Sequence, residues 1–220
     1  MYRYVVKVHT ATKFTRISVC TKDQPNRIRK WISLVCKRGG NLLVDWQIRQ
    51  LVEECDLISP FNEEQLQPNS YDVKLDNIKI LNPDSNVEIV DMYESYDNIW
   101  KSVNVADKYV IAPNECILAS TKEYFKFPRD VAARVEGKSS LGRWFICNHV
   151  TAGFIDCGFE GTITLEIKNY FTKPIALYPG MPFGQIAFYK TEPCERPYNG
   201  KYCKQVEPTE SRYFLNKKDT

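Results

Sequence analysis

The feature that most restricts this chain is a run of short β-patterned stretches from residue 99 onward. KYVIAP (108–113), ECILAS (115–120), EYFKFP (123–128), VAARVEG (131–137), WFICNHV (144–150), GTITLEIKN (161–169), PIALYPG (174–180) and GQIAFYK (184–190) follow one another. They recur at a spacing of about ten residues, with Gly, Pro and Asn at the turns. No helix-length pattern interrupts them. Strands this short and this close predict an antiparallel sandwich or barrel.

One helix precedes them. LVDWQIRQLVEECD (43–56) carries an amphipathic pattern. It predicts Trp46, Ile48, Leu51 and Val52 on the inner face, Glu53 and Glu54 outside, and Asp45 as N-cap. ISPFNEEQLQPNS (58–70) reads as a loop, and YDVKLDNIKIL (71–81) alternates as a strand or hairpin arm. Nearer the start, YVVKVH (4–9) and FTRISVC (14–20) read as strands, DQPNR (23–27) as a turn and KWISLVCK (30–37) as a third strand. The glycines of KRGGN then break the chain. Three parts result: an extension over 1–40, a body over 41–192, and a polar, proline-rich tail over 193–220. The tail is either a disordered end or a mobile lid.

Apolar content of 43% is globular. No apolar run approaches ~18 residues, so no membrane span is expected. The start lacks the long apolar core of a signal peptide. Cysteines 20, 36, 55, 116, 147, 157, 194 and 203 are scattered, and the only histidines are His9 and His149. Closely spaced zinc ligands are missing, which argues against a zinc finger or a zinc-dependent deaminase. Reduced thiols in a cytoplasmic setting are expected. Charge is uneven. Residues 1–40 carry a formal +9 and the rest −6. The basic extension is either a contact for nucleic acid or an acidic partner, or a solvated decoration.

Two segments carry candidate chemistry. On a strand over 161–169, Ile163, Leu165 and Ile167 share one face, and Thr162, Thr164 and Glu166 the other. The first face is core. Glu166 then faces water or enters a cleft shared with a neighbouring chain. GKSSLGR (137–143) gathers Lys138, Ser139, Ser140 and Arg143 between glycines. Two hydroxyls and two cations on a pliant backbone suit a phosphate chain. It is no P-loop, and no helix is expected after it. The same residues would also serve as a turn cap and a surface ion pair.

Five ordered segments together resemble the dCTP deaminase family within the trimeric dUTPase-like superfamily. They are QPNSYDVKL (67–75), EGKSSLGR (136–143), HVTAGFID and GFEGTITLEI within 149–167, PIALYPGMPFGQIAF (174–188), and the RPYNGKY, Q, PT and SR positions of 196–212. The resemblance covers residues 42–213. It implies a distorted antiparallel β-barrel, a homotrimer with sites between subunits, a deoxycytidine nucleotide as substrate, and Mg²⁺ on the phosphates. Zinc is not expected, and no metal ligand is assigned.

Carried over position by position, Glu166 matches the general base that activates water against C4 of cytosine. Ser139 and Arg143 match residues that orient the base and that water. The Ala152 backbone matches a contact at the pyrimidine edge, and Asp156 the holder of the 3′-hydroxyl. Lys138 stands where the family usually has a phosphate-binding arginine, a point charge in place of a fork. Ser140 lies beside it. Gln185, Lys201, Tyr202 and Arg212 match phosphate- and lid-associated positions, and Tyr178 is placed to pack under the sugar. One carboxylate can take a proton from water and return it to leaving ammonia. The resemblance leaves open whether the product is dUTP or, after a second hydrolysis, dUMP. A dUTPase without deamination and a catalytically weak trimeric binding protein remain the alternatives.

Overall fold

The structure is a computed structural model. It describes the backbone of residues 4–10 and 13–19, and residues 42–216 throughout. It forms two compact units, Met1–Gly40 and Asn41–Thr220. In the first, β1 (Tyr4–Thr10) and β2 (Lys13–Val19) pair antiparallel, with Thr10 opposite Lys13. The expected turn at 23–27 and strand at 30–37 lie outside the described residues.

The second unit begins with α1 (Asp45–Cys55). Ile48 is fully buried, and Leu51, Val52 and Cys55 pack against the same core. That is the three-and-four spacing of one helix face. Trp46 lies two positions from Ile48, about 200° round the helix. It is therefore 57% exposed, where an inner position was expected. Nor is Asp45 the N-cap. Val44 occupies that place, and the Gln47 side-chain oxygen accepts the Val44 N–H at 3.1 Å, as the back-reaching half of a capping box does.

The strands that follow are β3 (Ile58–Ser59), β4 (Leu66–Gln67), β5 (Ser70–Leu81), β6 (Trp100–Val103), β7 (Tyr109–Ile111), β8 (Cys116–Lys126) and β9 (Val131–Glu136). After the short helix α2 (Ser139–Gly142) come β10 (Ile146–Cys147), β11 (Phe154–Ile155), β12 (Glu160–Asn169), β13 (Ile175–Leu177) and β14 (Pro182–Lys190). The main sheet runs β10-β12-β8-β5-β14-β9-β11, with β3 added to β8 and β4 and β6 to β5. β7 pairs with β13 in a second, small sheet. All these pairs are antiparallel. Register shifts at Thr162/Thr164, Leu75/Ile78 and Pro182/Gly184 increase the local twist and curl the sheet into a barrel-like body. The expected mainly antiparallel β architecture holds.

Three local expectations change. The stretches 115–120 and 123–128 form one strand, β8, because the shift near Thr121 bends the chain without ending it. Only Ile146–Cys147 of the stretch 144–150 pairs as strand. α2 is a single helical turn where none was expected, with Leu141 and Gly142 N–H groups donating to Lys138 O.

The curl encloses Tyr71, Leu75, Phe125, Ile117, Leu165, Ile167, Phe183 and Phe188, each fully or almost fully buried. Phe127 stacks on both Phe125 and Phe188 at 5.9 Å. Truncating Leu165 or Ile167 to Ala would cost about 2–5 kcal/mol. Tyr71 reaches out of this core to accept the Asn62 N–H at 2.9 Å, and burial pushes its phenol up to about 12. Glu123, 1% exposed, accepts Gln65 Nε2 at 2.7 Å and Lys74 N–H at 3.0 Å. Among the described residues no helix is long and apolar enough to cross a membrane.

Candidate active site

β12 alternates as its sequence demands. Ile163, Leu165 and Ile167 enter the core, while Thr164 and Glu166 are half-buried on the other face. Thr164 and Glu166, with Ile163 at the register shift, form one wall of a cleft of about 620 Å³. Glu166, Ala152 and Asp156 line it together, so β12 and the loop ahead of it bring three sequence-designated residues to one place. Glu166 Oε2 accepts the Val150 N–H at 3.1 Å, which orients the carboxylate against that loop. Gly153, buried in the same loop, leaves the room that His149 fills. A Cβ there would sit 3.0 Å from His149 Cε1 and 3.2 Å from Val135 O.

The tail supplies another wall. Lys201 and Tyr202 line the cleft with Tyr198, Gln205, Thr209, Glu210 and Ser211. Of the two readings open for the tail, its described part to residue 216 is anchored. Gln205 bridges to Gly161, and its Nε2 donates to Thr162 O at 2.8 Å and Thr164 Oγ1 at 3.1 Å. Gly161 is needed for this approach. Its φ is +145°, and a Cβ would lie 2.9 Å from Gln205 O. Arg212 does not line the cleft. Its backbone N–H donates to Tyr202 OH at 3.0 Å and its guanidinium to Lys201 O. Lys201 Nζ in turn donates to Asn216 Oδ1 at 3.0 Å.

The remaining designated residues stand elsewhere. Ser139, Ser140 and Arg143 are exposed on and just after α2, outside the cleft wall. Lys138 Nζ is 2.5 Å from Asp72 Oδ2, a carboxylate 11% exposed. Gln185 accepts Ser70 Oγ–H at 2.8 Å and donates to Gly137 O at 2.9 Å, so it pins the backbone that leads into Lys138. Tyr178 is 47% exposed at the turn between β13 and β14. The chain thus presents two polar groups, one around Glu166 and one around α2.

Sequence reasoning gave no role to Trp100, Leu118, Phe159, Tyr198 or Gln205, all of which line the cleft. Gln205 was within reach, since it is the glutamine of the tail motif. Trp100 carried no signal. It reaches the site only because β6 pairs with β5, Trp100 opposite Leu81. Among the described residues no group of three or more His, Cys, Asp or Glu side chains is placed to hold a metal.

The site is thus a carboxylate on the cleft face of a curled antiparallel sheet, with a tail folded across it. The comparisons give the chain's family. The family profile described as dCTP deaminase-like matches residues 42–191. A protein named "dCTP deaminase, dUMP-forming" from Methanoculleus marisnigri is 40% identical over 182 residues, covering 80% of this chain and 96% of its own length. One of the same name from Corynebacterium glutamicum is 43% identical over 184 residues, covering 80% and 97%. Among solved structures, the 2′-deoxycytidine 5′-triphosphate deaminase of Agrobacterium tumefaciens shares the fold, with a TM-score of 0.55 and 24% identity. That match covers 70% of this chain and 49% of the solved one, about half its length. The chain belongs to the dCTP deaminase-like family.

Proposed function

We propose that the chain hydrolyses dCTP to dUMP, ammonia and pyrophosphate, consuming two waters. The observation that carries this is Glu166 on the cleft wall beside Ala152 and Asp156, in a chain of this family. In the first step Glu166 takes a proton from water as the oxygen bonds to C4. The proton passes to the exocyclic nitrogen, the C4–N bond breaks, and ammonia leaves. In the second, water adds across the bond between the α and β phosphates. Asp156 holds the 3′-hydroxyl and orients that second water. Magnesium enters on the substrate phosphates as part of the substrate, and no step is routed through it. Relatives named for dUMP formation support the second hydrolysis in particular.

The acting unit is a homotrimer with shared sites. Ser139 and Arg143 carry the donors that would orient base and water, yet they stand outside this chain's own cleft. A neighbouring copy supplies them, together with Lys138 for the phosphates. Trp144 and Phe145, 59% and 60% exposed beside Arg143, are apolar surface of the kind a subunit contact covers. Phe145 also holds a positive φ of 57°, unusual for a bulky residue, and stacks on Phe171 at 6.2 Å. The tail closes on the phosphates through Lys201 and Tyr202, excluding water.

The test is product analysis by chromatography and mass spectrometry. The purified chain with Mg²⁺ is given dCTP, dCMP and dUTP separately. dUMP and ammonia from dCTP are expected. Cleavage of dUTP with no ammonia from dCTP would replace the reading with a dUTPase. Accumulation of dUTP would remove the second step.

A further inference from the structure

The tail is fastened by a pair of charges outside the groups assigned to the reaction. Lys79 Nζ lies 2.7 Å from Glu210 Oε1, with the two side chains 16% and 39% exposed. Lys79 of β5 sits opposite Leu118 of β8, and Leu118 opposite Glu166 of β12. Residues paired directly across antiparallel strands share one face of the sheet. Lys79, Leu118 and Glu166 therefore form a row. Its two charged ends are about 10 Å apart, two strand spacings. Leu118, Glu166 and Glu210 all line the cleft. The tail thus brings a carboxylate down onto the far end of the row that holds the general base.

Fixing Glu210 fixes its neighbours. On one side the Thr209 N–H donates to Thr164 Oγ1 at 3.2 Å, the same hydroxyl that Gln205 Nε2 reaches. On the other, Arg212 ties to Tyr202 OH and to Lys201 O. Burial pulls the Glu210 carboxyl upward, but the Lys79 hydrogen bond, a backbone hydrogen bond at Glu210 itself and the charges of Lys79 and Arg212 together outweigh it and leave it below its ordinary value. The pairing therefore supports closure above the ordinary carboxylate range and is lost as pH falls through it.

We propose that the Lys79–Glu210 ion pair is the latch that holds the tail shut over the cleft, Lys79 acting as a positioning residue through Glu210 on Lys201 and Tyr202. The proposal rests on the reading that the closed tail is the working state. Closure is then partly built into the free chain, and substrate binds to a wall already assembled.

The test uses the full chain with Lys79→Met, Glu210→Gln and the exchanged pair Lys79→Glu/Glu210→Lys. Hydrogen exchange over residues 193–216 is measured without nucleotide, alongside KM and kcat for dCTP. Each single change is expected to speed tail exchange about five-fold, the effect of losing a partly exposed ion pair. It should raise KM more than it lowers kcat, and high salt should act in the same direction. The exchanged pair is expected to recover both protection and KM. Unchanged tail protection in both single variants overturns the latch, and so does loss that the exchanged pair fails to recover. Glu210 is outside the core, so Glu210→Gln tests the pair even if the Lys79 variant folds poorly. The exchange readout needs no catalysis. Inactivity of the unaltered chain toward dCTP would overturn the functional reading while the latch is judged separately.

Discussion

Replacing Glu166 by Gln separates the base from the scaffold that carries it. The amide keeps the length and planarity of the side chain. Its oxygen can still accept the Val150 N–H that the carboxylate now takes at 3.1 Å. That bond weakens from a charged to a neutral acceptor, a loss of about 1 kcal/mol at a half-buried position. Ile163, Leu165 and Ile167 on the opposite face are untouched, so melting and assembly should change little. What the amide cannot do is take a proton. General-base losses run ~10²–10⁴-fold, which is about 3–5.5 kcal/mol on the barrier. The chemical effect therefore exceeds the structural one several-fold. Ammonia release from dCTP is the direct assay, and cleavage of dUTP is the internal control because it no longer needs a base at C4. The expected result is a deamination loss of at least ~10²-fold with dUTP cleavage retained. Deamination within about tenfold of the unaltered chain would refute the role of Glu166. Equal loss of both activities with intact binding would place Glu166 in phosphate hydrolysis as well.

Light scattering should give a trimeric mass, and inactive Glu166→Gln and Arg143→Ala chains should regain activity when refolded together; a monomer at micromolar protein would contradict shared sites. Removing residues 194–220 should cost kcat/KM far more than melting temperature, and an unchanged kcat/KM would rule out a lid. Gly161→Ala, which drives a Cβ to 2.9 Å from Gln205 O, should mimic that truncation in part, and full activity would show that the bridge at Gln205 is dispensable. Burial raises the Glu123 carboxyl, so the folded state binds its proton more tightly than the unfolded one, and this group's contribution favours folding less as pH rises through that range. Glu123→Gln should flatten that slope in chemical denaturation from the ordinary carboxylate range upward, and an unaltered slope would locate it elsewhere. A chain starting at Asn41 should turn over dCTP normally and lose any salt-sensitive retention on nucleic acid, whereas equal retention would dismiss the basic extension as a polyanion contact.

Much of the fold was legible because strands this short leave the chain few options. The alternation at 161–169 set which residues of β12 enter the core, and the spacing of turn residues set the hairpins. The misreading of Trp46 has a plain cause. Local pattern records which residues are apolar and says little about which neighbour will cover them. Trp46 is apolar, but Ile48, Leu51, Val52 and Cys55 already fill the docking face of α1, and the helix has one such face. The stretches 115–120 and 123–128 looked like two strands because Thr121 and Lys122 interrupt the alternation. The sheet absorbs that interruption as a register shift, with Thr121 Oγ1 accepting the Ile163 N–H at 3.0 Å and donating to Glu123 O at 2.8 Å.

The site was legible by residue type and not by place, and the reason lies in how a sheet distributes neighbours. Glu166 and Thr164 reach the same cleft because they are two apart on one strand, which sequence shows directly. Lys79 and Glu166 share a row only through Leu118, by pairings between β5, β8 and β12 that no short motif encodes. Trp100 arrives by the same route, through β6 on β5. Ser139 and Arg143 are a harder case, since they lie within about fifteen residues of the cleft loop in sequence and yet stand outside the cleft. A motif can sit intact in one chain while its chemistry requires two. This division also sets what selection can adjust independently. Under the proposed shared-site trimer, changes near α2 would act on a neighbour's substrate, whereas changes in the row from Lys79 to Glu166 would act on the chain's own proposed base and its tail. Variants at Lys79 should therefore follow the subunit that carries Glu166 in mixed trimers, and variants at Arg143 should follow its partner.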